Sequence, residues 1–178
     1  VGDQALETLG TSSSNNTAIG AHAMQDTTSS ENCVAVGSYA LENNTTGGNN
    51  TAVGHIALQD TTTGTENVAV GTYALQQNTT GSNAVAVGYQ ALSGNTSGAS
   101  NVALGNGSLR ENTTGGFNNA IGFNSLVLNT TGAGNVALGH GCLDATTTGN
   151  YNVGVGYLNL TDNSTGSGNT SIGFRALD

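Results

Sequence analysis

Apolar positions fall in short runs that alternate large and small side chains, and each run closes on a glycine that recurs at a fixed step. Gly20, Gly37, Gly54, Gly71, Gly88, Gly105, Gly122, Gly139, Gly156 and Gly173 mark nine consecutive intervals of 17 residues, and only the first interval, from Gly2, is one residue longer. Four residues after each glycine stands Leu or Met: Leu6, Met24, Leu41, Leu58, Leu75, Leu92, Leu109, Leu126, Leu143, Leu160 and Leu177. The residue just before the glycine is always Val, Ile or Leu, so both columns are expected in a core. Segments such as Val68-Ala69-Val70 alternate with a period of two and favour β-branched residues, which predicts one short strand per copy. Segments such as Asn78-Thr79-Thr80-Gly81 then predict a corner at positive φ.

A constant step of this kind turns equivalent residues into columns. Stacked as parallel strands about 4.8 Å apart, roughly ten to eleven coils make a rod about 50 Å long. The expected fold is therefore all-β: one continuous parallel β-solenoid, a β-roll, over residues 1–178, with a slightly irregular first coil in residues 1–15. Asn16, Asn50, Asn67, Asn101, Asn118, Asn135, Asn152 and Asn169 share the position four before the glycine and are expected to form an amide ladder along the axis. A helix is disfavoured, because each repeat holds two glycines and several β-branched or Asn residues and has no 3.6-residue stripe. Disorder is disfavoured too, since a flexible linker needs neither an unbroken Leu column nor an invariant step.

Two before the glycine the side chain is small: Ala18, Ala35, Ala52, Ala69, Ala86, Ala103, Ala120 and Ala137, then Gly154 and Ser171. Lying between two neighbours assigned to the core, this column is expected to face outward, where its smallness suits close approach of another chain. Lateral self-association, most simply as a parallel homotrimer, follows from that assignment.

Composition narrows the function classes. Two cationic side chains, Arg110 and Arg175, stand against eleven acidic ones, and the net charge is −9. A phosphate backbone would be repelled, so nucleic-acid binding is excluded, and without lysine there is no polybasic stretch for anionic lipid. No long apolar run predicts membrane insertion. With 28 Gly, no Pro, no Trp and 4% aromatics, a thick aromatic core is excluded, which again suits many thin slices. The ends, Val1-Gly2-Asp3 and a repeat cut at Asp178, suggest a piece of a longer fibre.

The segment Asn67-Val68-Ala69-Val70-Gly71-Thr72-Tyr73-Ala74-Leu75 resembles the head repeats of trimeric autotransporter adhesins. Its continuation, Gln76-Gln77-Asn78-Thr79-Thr80-Gly81, resembles repeat arrays of phage tail-fibre and large bacterial surface proteins, and the likeness runs from Asn15 to Asp178. The resemblance implies a left-handed parallel β-roll, usually trimeric, that carries or forms a contact with a host surface. The coils here are longer than those of adhesin heads by about three residues, so the corner is wider.

Little in the sequence points to chemistry. His22, His55 and His140 read as surface decoration, and Cys33 and Cys142, some six coils or about 29 Å apart, cannot bridge and read as small buried substitutes. No nucleophile, base and acid recur together, so the chain is expected to be no enzyme and to need no metal or cofactor. Thr45, Thr62, Thr79, Thr96, Thr113, Thr130 and Thr147 form a hydroxyl column, which makes ice binding an alternative function. Asn44, Asn78, Asn95, Asn112, Asn129 and Asn163 each open a glycosylation sequon, so a glycosylated extracellular filament is a second alternative. The leading expectation is an extracellular structural or adhesive fibre on a virion, phage tail or bacterial surface. Its partners would be copies of itself and a host glycan or matrix, with Tyr39, Tyr73, Tyr89, Phe123, Tyr157 and Phe174 as candidate glycan contacts.

Overall fold

A computed structural model describes residues 2–7, 10 and 13–177. It is a parallel β-solenoid with a 17-residue period, and no helix occurs among the described residues. Ten strands of three residues form one sheet in chain order: β1 (Thr17–Ile19), β2 (Val34–Val36), β3 (Thr51–Val53), β4 (Val68–Val70), β5 (Val85–Val87), β6 (Val102–Leu104), β7 (Asn119–Ile121), β8 (Val136–Leu138), β9 (Val153–Val155) and β10 (Thr170–Ile172). The register is constant, Ala52 over Ala35 and Ala69 over Ala52, so like residues stack on like.

The stacking is not confined to the strands. Leu75 N donates to Ala91 O at 3.0 Å, Gln77 N to Ser93 O at 3.0 Å, Thr79 N to Thr96 O at 2.9 Å and Asn83 N to Thr65 O at 3.0 Å. Backbone ladders thus run along every wall of the coil, and this is why a chain with such short strands can hold one shape.

The Leu and Met column fills the interior: Met24, Leu41, Leu58, Leu75, Leu92, Leu109, Leu126 and Leu143 are fully buried and Leu160 nearly so, while Leu177, in the last coil, is exposed. The strand faces run opposite to the sequence expectation. Ala35, Ala52, Ala69, Ala86, Ala103, Ala120 and Ala137 point inward and are fully buried, whereas their β-branched neighbours point out. The reason is width. A Cβ placed at Gly154, in the Ala column, would lie 2.6 Å from Cys142 Sγ and 3.2 Å from Leu143 Cγ, so the far wall already fills this space and leaves room for a methyl group at most. Periodicity of two says which residues share a face, not which face is inside.

The corners also differ from expectation. Positive φ occurs at four positions per coil, for example Gly71 (133°), Tyr73 (60°), Leu75 (51°) and Asn83 (60°), and not at the glycine of Asn-Thr-Thr-Gly. The left-handed conformation costs an ordinary residue about 1–2 kcal/mol. Burying a Leu side chain returns about 1.5–3 kcal/mol, so at Leu75 the turn that aims the side chain inward is a net gain. Gly81 is required for a different reason: its Cβ would lie 2.7 Å from Gly98 O, inside the next coil's backbone.

Candidate interaction surfaces

Two inward amide columns define the coil's polar interior. Asn50, Asn67, Asn101, Asn118, Asn135 and Asn152 are fully buried, and each links neighbouring coils mainly through backbone. Asn67 Nδ2 donates to Gly81 O at 2.9 Å, and its Oδ1 accepts from Ala84 N at 3.0 Å. Direct amide-to-amide bonds appear toward the far end, Asn135 to Asn118 and Asn152 to Asn135, both at 3.2 Å. The column begins at Asn16, whose Nδ2 reaches Ser30 O at 2.9 Å, and ends at Asn169, which bonds Asn152 Oδ1 at 3.0 Å. Cys33 and Ala84 interrupt it.

The sequon asparagines form the second column, which sequence reasoning missed. Asn44, Asn78, Asn95, Asn112 and Asn129 are fully buried. Nδ2 of Asn78 donates to Gly81 O at 2.9 Å, and Nδ2 of Asn95 donates both to Gly98 O at 2.9 Å and to Asn78 Oδ1 at 2.8 Å. A sugar on Nδ2 would have to displace those bonds and pass through the coil wall, so the expectation of glycosylation at these five positions is corrected. Asn163, only half-buried, donates to Gly166 O at 3.3 Å in the same manner. The signal that could have revealed the column is Asn followed by Gly three residues later in copy after copy.

The hydroxyl column is tied down as well. Oγ1 of Thr45, Thr62, Thr79, Thr96, Thr113, Thr130 and Thr147 each donates to the carbonyl 17 residues on, at 2.8 to 3.1 Å. Only the row beside it, such as Thr63, Thr80 and Thr114, is exposed.

Aromatic side chains form a column on one corner. His22 stacks on Tyr39 with centroids 4.7 Å apart, and His55, Tyr73 and Tyr89 continue edge to face at 5.8 and 5.9 Å. After the break at Asn106, Phe123, His140, Tyr157 and Phe174 stack at 5.1, 5.0 and 5.5 Å. These rings cover one another's faces, so in this second run a sugar ring could stack only at an end.

The sheet's outer face is a continuous, mostly apolar surface. One column runs Thr17, Val34, Thr51, Val68, Val85, Val102, Asn119, Val136, Val153, Thr170, and the other runs Ile19, Val36, Val53, Val70, Val87, Leu104, Ile121, Leu138, Val155, Ile172. Val70, Val87 and Ile121 are 36%, 39% and 42% exposed. Together they make a mostly β-branched stripe ten strands long, roughly 45 Å.

Reactive groups are sparse. Cys33 and Cys142 are free and buried, and burial pushes the Cys142 thiol up to about 11. Among the described residues no group of three or more His, Cys, Asp or Glu is placed to hold a metal ion. No helix among them is long and apolar enough to cross a membrane. Comparison with protein-family models, with curated proteins and with solved structures finds no match for the chain.

Proposed function

We propose that this chain is a structural and adhesive segment of an extracellular fibre, on a virion, phage tail or bacterial surface, and that it assembles with copies of itself, most simply as three parallel rolls. The observation that carries the reading is the uncovered outer sheet face. Ten strands of the sheet present two columns of mostly Val, Ile and Leu to the outside, where a monomer in water would favour polar residues. Self-association was expected through the Ala column; its inward orientation moves the proposed contact to the flanking β-branched columns. A rod that grows by about 4.8 Å per coil supplies reach without a thicker core, and a repeated surface can add weak contacts to a host surface.

The test is the solution mass. The chain weighs 17.6 kDa, so a trimer would weigh three times that value by light scattering. Val70→Lys with Val87→Lys places two charges on the outer face without touching the interior, and should give a folded monomer. A wild-type chain that stays monomeric at its highest soluble concentration sinks the assembly.

Ice binding is less well supported, because the hydroxyls of Thr45 through Thr147 are committed to backbone carbonyls, leaving one exposed row where an ice plane needs a wider array. Thermal hysteresis in the wild-type chain would restore that reading.

A further inference from the structure

Beside the leucine wall, in the coils that precede Val127-Leu128, runs a column pair of mostly long polar residues at the fifth and sixth positions after the repeat glycine: Gln25-Asp26, Glu42-Asn43, Gln59-Asp60, Gln76-Gln77, then Arg110-Glu111. Between the last two, the coil carries Ser93-Gly94 instead. The short pair opens a hollow one coil tall, with Gln76 and Gln77 on one side, Arg110 and Glu111 on the other, and Gln90 and Ser93 from the middle coil. It holds about 320 Å³, at the small end of the roughly 300–1,000 Å³ seen for ligand pockets. Gly94 keeps its floor low: a Cβ there would lie 2.8 Å from Arg110 O.

The polar groups around the hollow are unspent. Gln59 Nε2 bonds Glu42 Oε2 at 2.6 Å and Gln25 Nε2 bonds Glu7 Oε2 at 3.1 Å, each reaching the coil before it. Gln76 has Gln59 in that place, not a carboxylate, and the side-chain amides of Gln76, Gln77 and Gln90 have no hydrogen-bond partner among the described residues. Arg110 Nε donates to Glu111 Oε1 at 2.8 Å, and its two Nη groups have no protein partner among the described residues.

We propose that this hollow is a binding site for one neutral sugar ring, and thereby names the ligand class for the surface contact proposed above, on which it rests. Hydroxyl groups both donate and accept, and so do the three amides, while Arg110 adds donors and Glu111 adds acceptors. An anion is disfavoured because Glu111 neutralises Arg110 in a chain of net charge −9. A greasy ligand is disfavoured because no apolar side chain lines the hollow. Without an aromatic platform the affinity of a single site is roughly millimolar, and avidity in an assembled fibre would raise it.

The test uses the whole chain and follows the glutamine side-chain amide resonances by NMR while methyl β-galactoside or methyl α-glucoside is added to tens of millimolar. Amides of Gln76, Gln77 and Gln90 should shift with at least one of the two. Ser93→Gln should abolish the shifts while keeping the fold, because Gln25, Gln59 and Gln76 already occupy that column. Thr161→Gln, in the same column far from the hollow, should leave them intact. No shift with either glycoside, shifts that survive Ser93→Gln, or larger shifts with a sialic acid glycoside overturn the proposal. Adhesion of wild type and Ser93→Gln alike to an immobilised glycan, with the glutamine amides unmoved, removes the hollow and spares the fibre. Failure of both to adhere, with the amides unmoved, removes the surface contact as well.

Discussion

Asn95 lies directly above Asn78, and its Nδ2 donates to Asn78 Oδ1 at 2.8 Å in the interior of the rod. The same bond repeats from Asn112 to Asn95 at 2.8 Å and from Asn129 to Asn112 at 2.7 Å. Where the next residue in the column is Thr, the ladder breaks: Asn44 Oδ1, below Thr61, and Asn129 Oδ1, below Thr146, are buried without a partner. Thr61→Asn should therefore join Asn44 to the run that starts at Asn78. A buried unsatisfied acceptor is worth about 1–3 kcal/mol, so the urea midpoint should rise by an amount in that range. Asn95→Ala should cost more than Asn112→Ala, because Gly115 O keeps a second donor, Asn101 Nδ2 at 2.8 Å, whereas Gly98 O loses its one side-chain donor, column position 84 being Ala.

The leucine column carries a second prediction. Leu75 is fully buried at φ 51°, and Met24 occupies the same column at φ 53°. Leu75→Met should thus be nearly neutral, under about 1.5 kcal/mol. Leu75→Ala should cost about 2–5 kcal/mol by opening a cavity. Leu75→Val should be worse than its one lost methylene suggests, because a β-branched side chain fits the left-handed region badly. Equal urea midpoints for the Met and Val variants would show that the backbone at this corner is not constrained.

The step of 17, the parallel stack and the buried Leu column were legible because each is written as an exact recurrence. Which strand face lies inside was not legible. Ala69 and Val70 differ in size, and size suggests the larger goes in, but inside is here the narrow space between two walls already filled by Leu75 and its neighbours. The corner at Asn78-Thr79-Thr80-Gly81 misled for a similar reason: Asn and Gly suit positive φ, yet here they serve an amide-to-carbonyl bond and a close coil-to-coil approach. The hollow at Ser93-Gly94 is visible in the sequence only once its column neighbours are known to be long and to lie side by side.

Glycines that look alike in the repeat should respond differently to substitution. Gly71 has φ 133°, and a Cβ there would sit 2.5 Å from Gly88 O, so Gly71→Ala must push two coils apart and should abolish cooperative unfolding near that coil. Gly168 has φ 73° with nothing within 4 Å of a built Cβ, and Asn15, Asn32, Asn49 and Asn83 hold the same column at similar φ. Gly168→Asn should be neutral or raise stability by up to about 1 kcal/mol, since it restricts the unfolded chain without straining the folded one. Thermal unfolding of the two variants side by side checks both claims.

The Cys142 thiol gives a pH prediction whose sign is fixed by geometry. Burial is the main reason its value rises from 9.0 to about 11, and repulsion from Asp144 adds to it. In the unfolded chain the thiol would lose its proton near the ordinary value, so above that value the unfolded state binds fewer protons than the folded one. Stability from this group is therefore complete below about pH 9 and is lost progressively as pH rises toward about 11. Cys142→Ala, matching the Ala at the same place in Ala40, Ala57, Ala74 and Ala91, should flatten that decline. Thiol labelling of the folded chain at pH 8 should be slow and should become fast on adding denaturant. Rapid labelling of Cys142 without denaturant would mean that the coil opens there in the native state, and the predicted alkaline slope would then vanish with it.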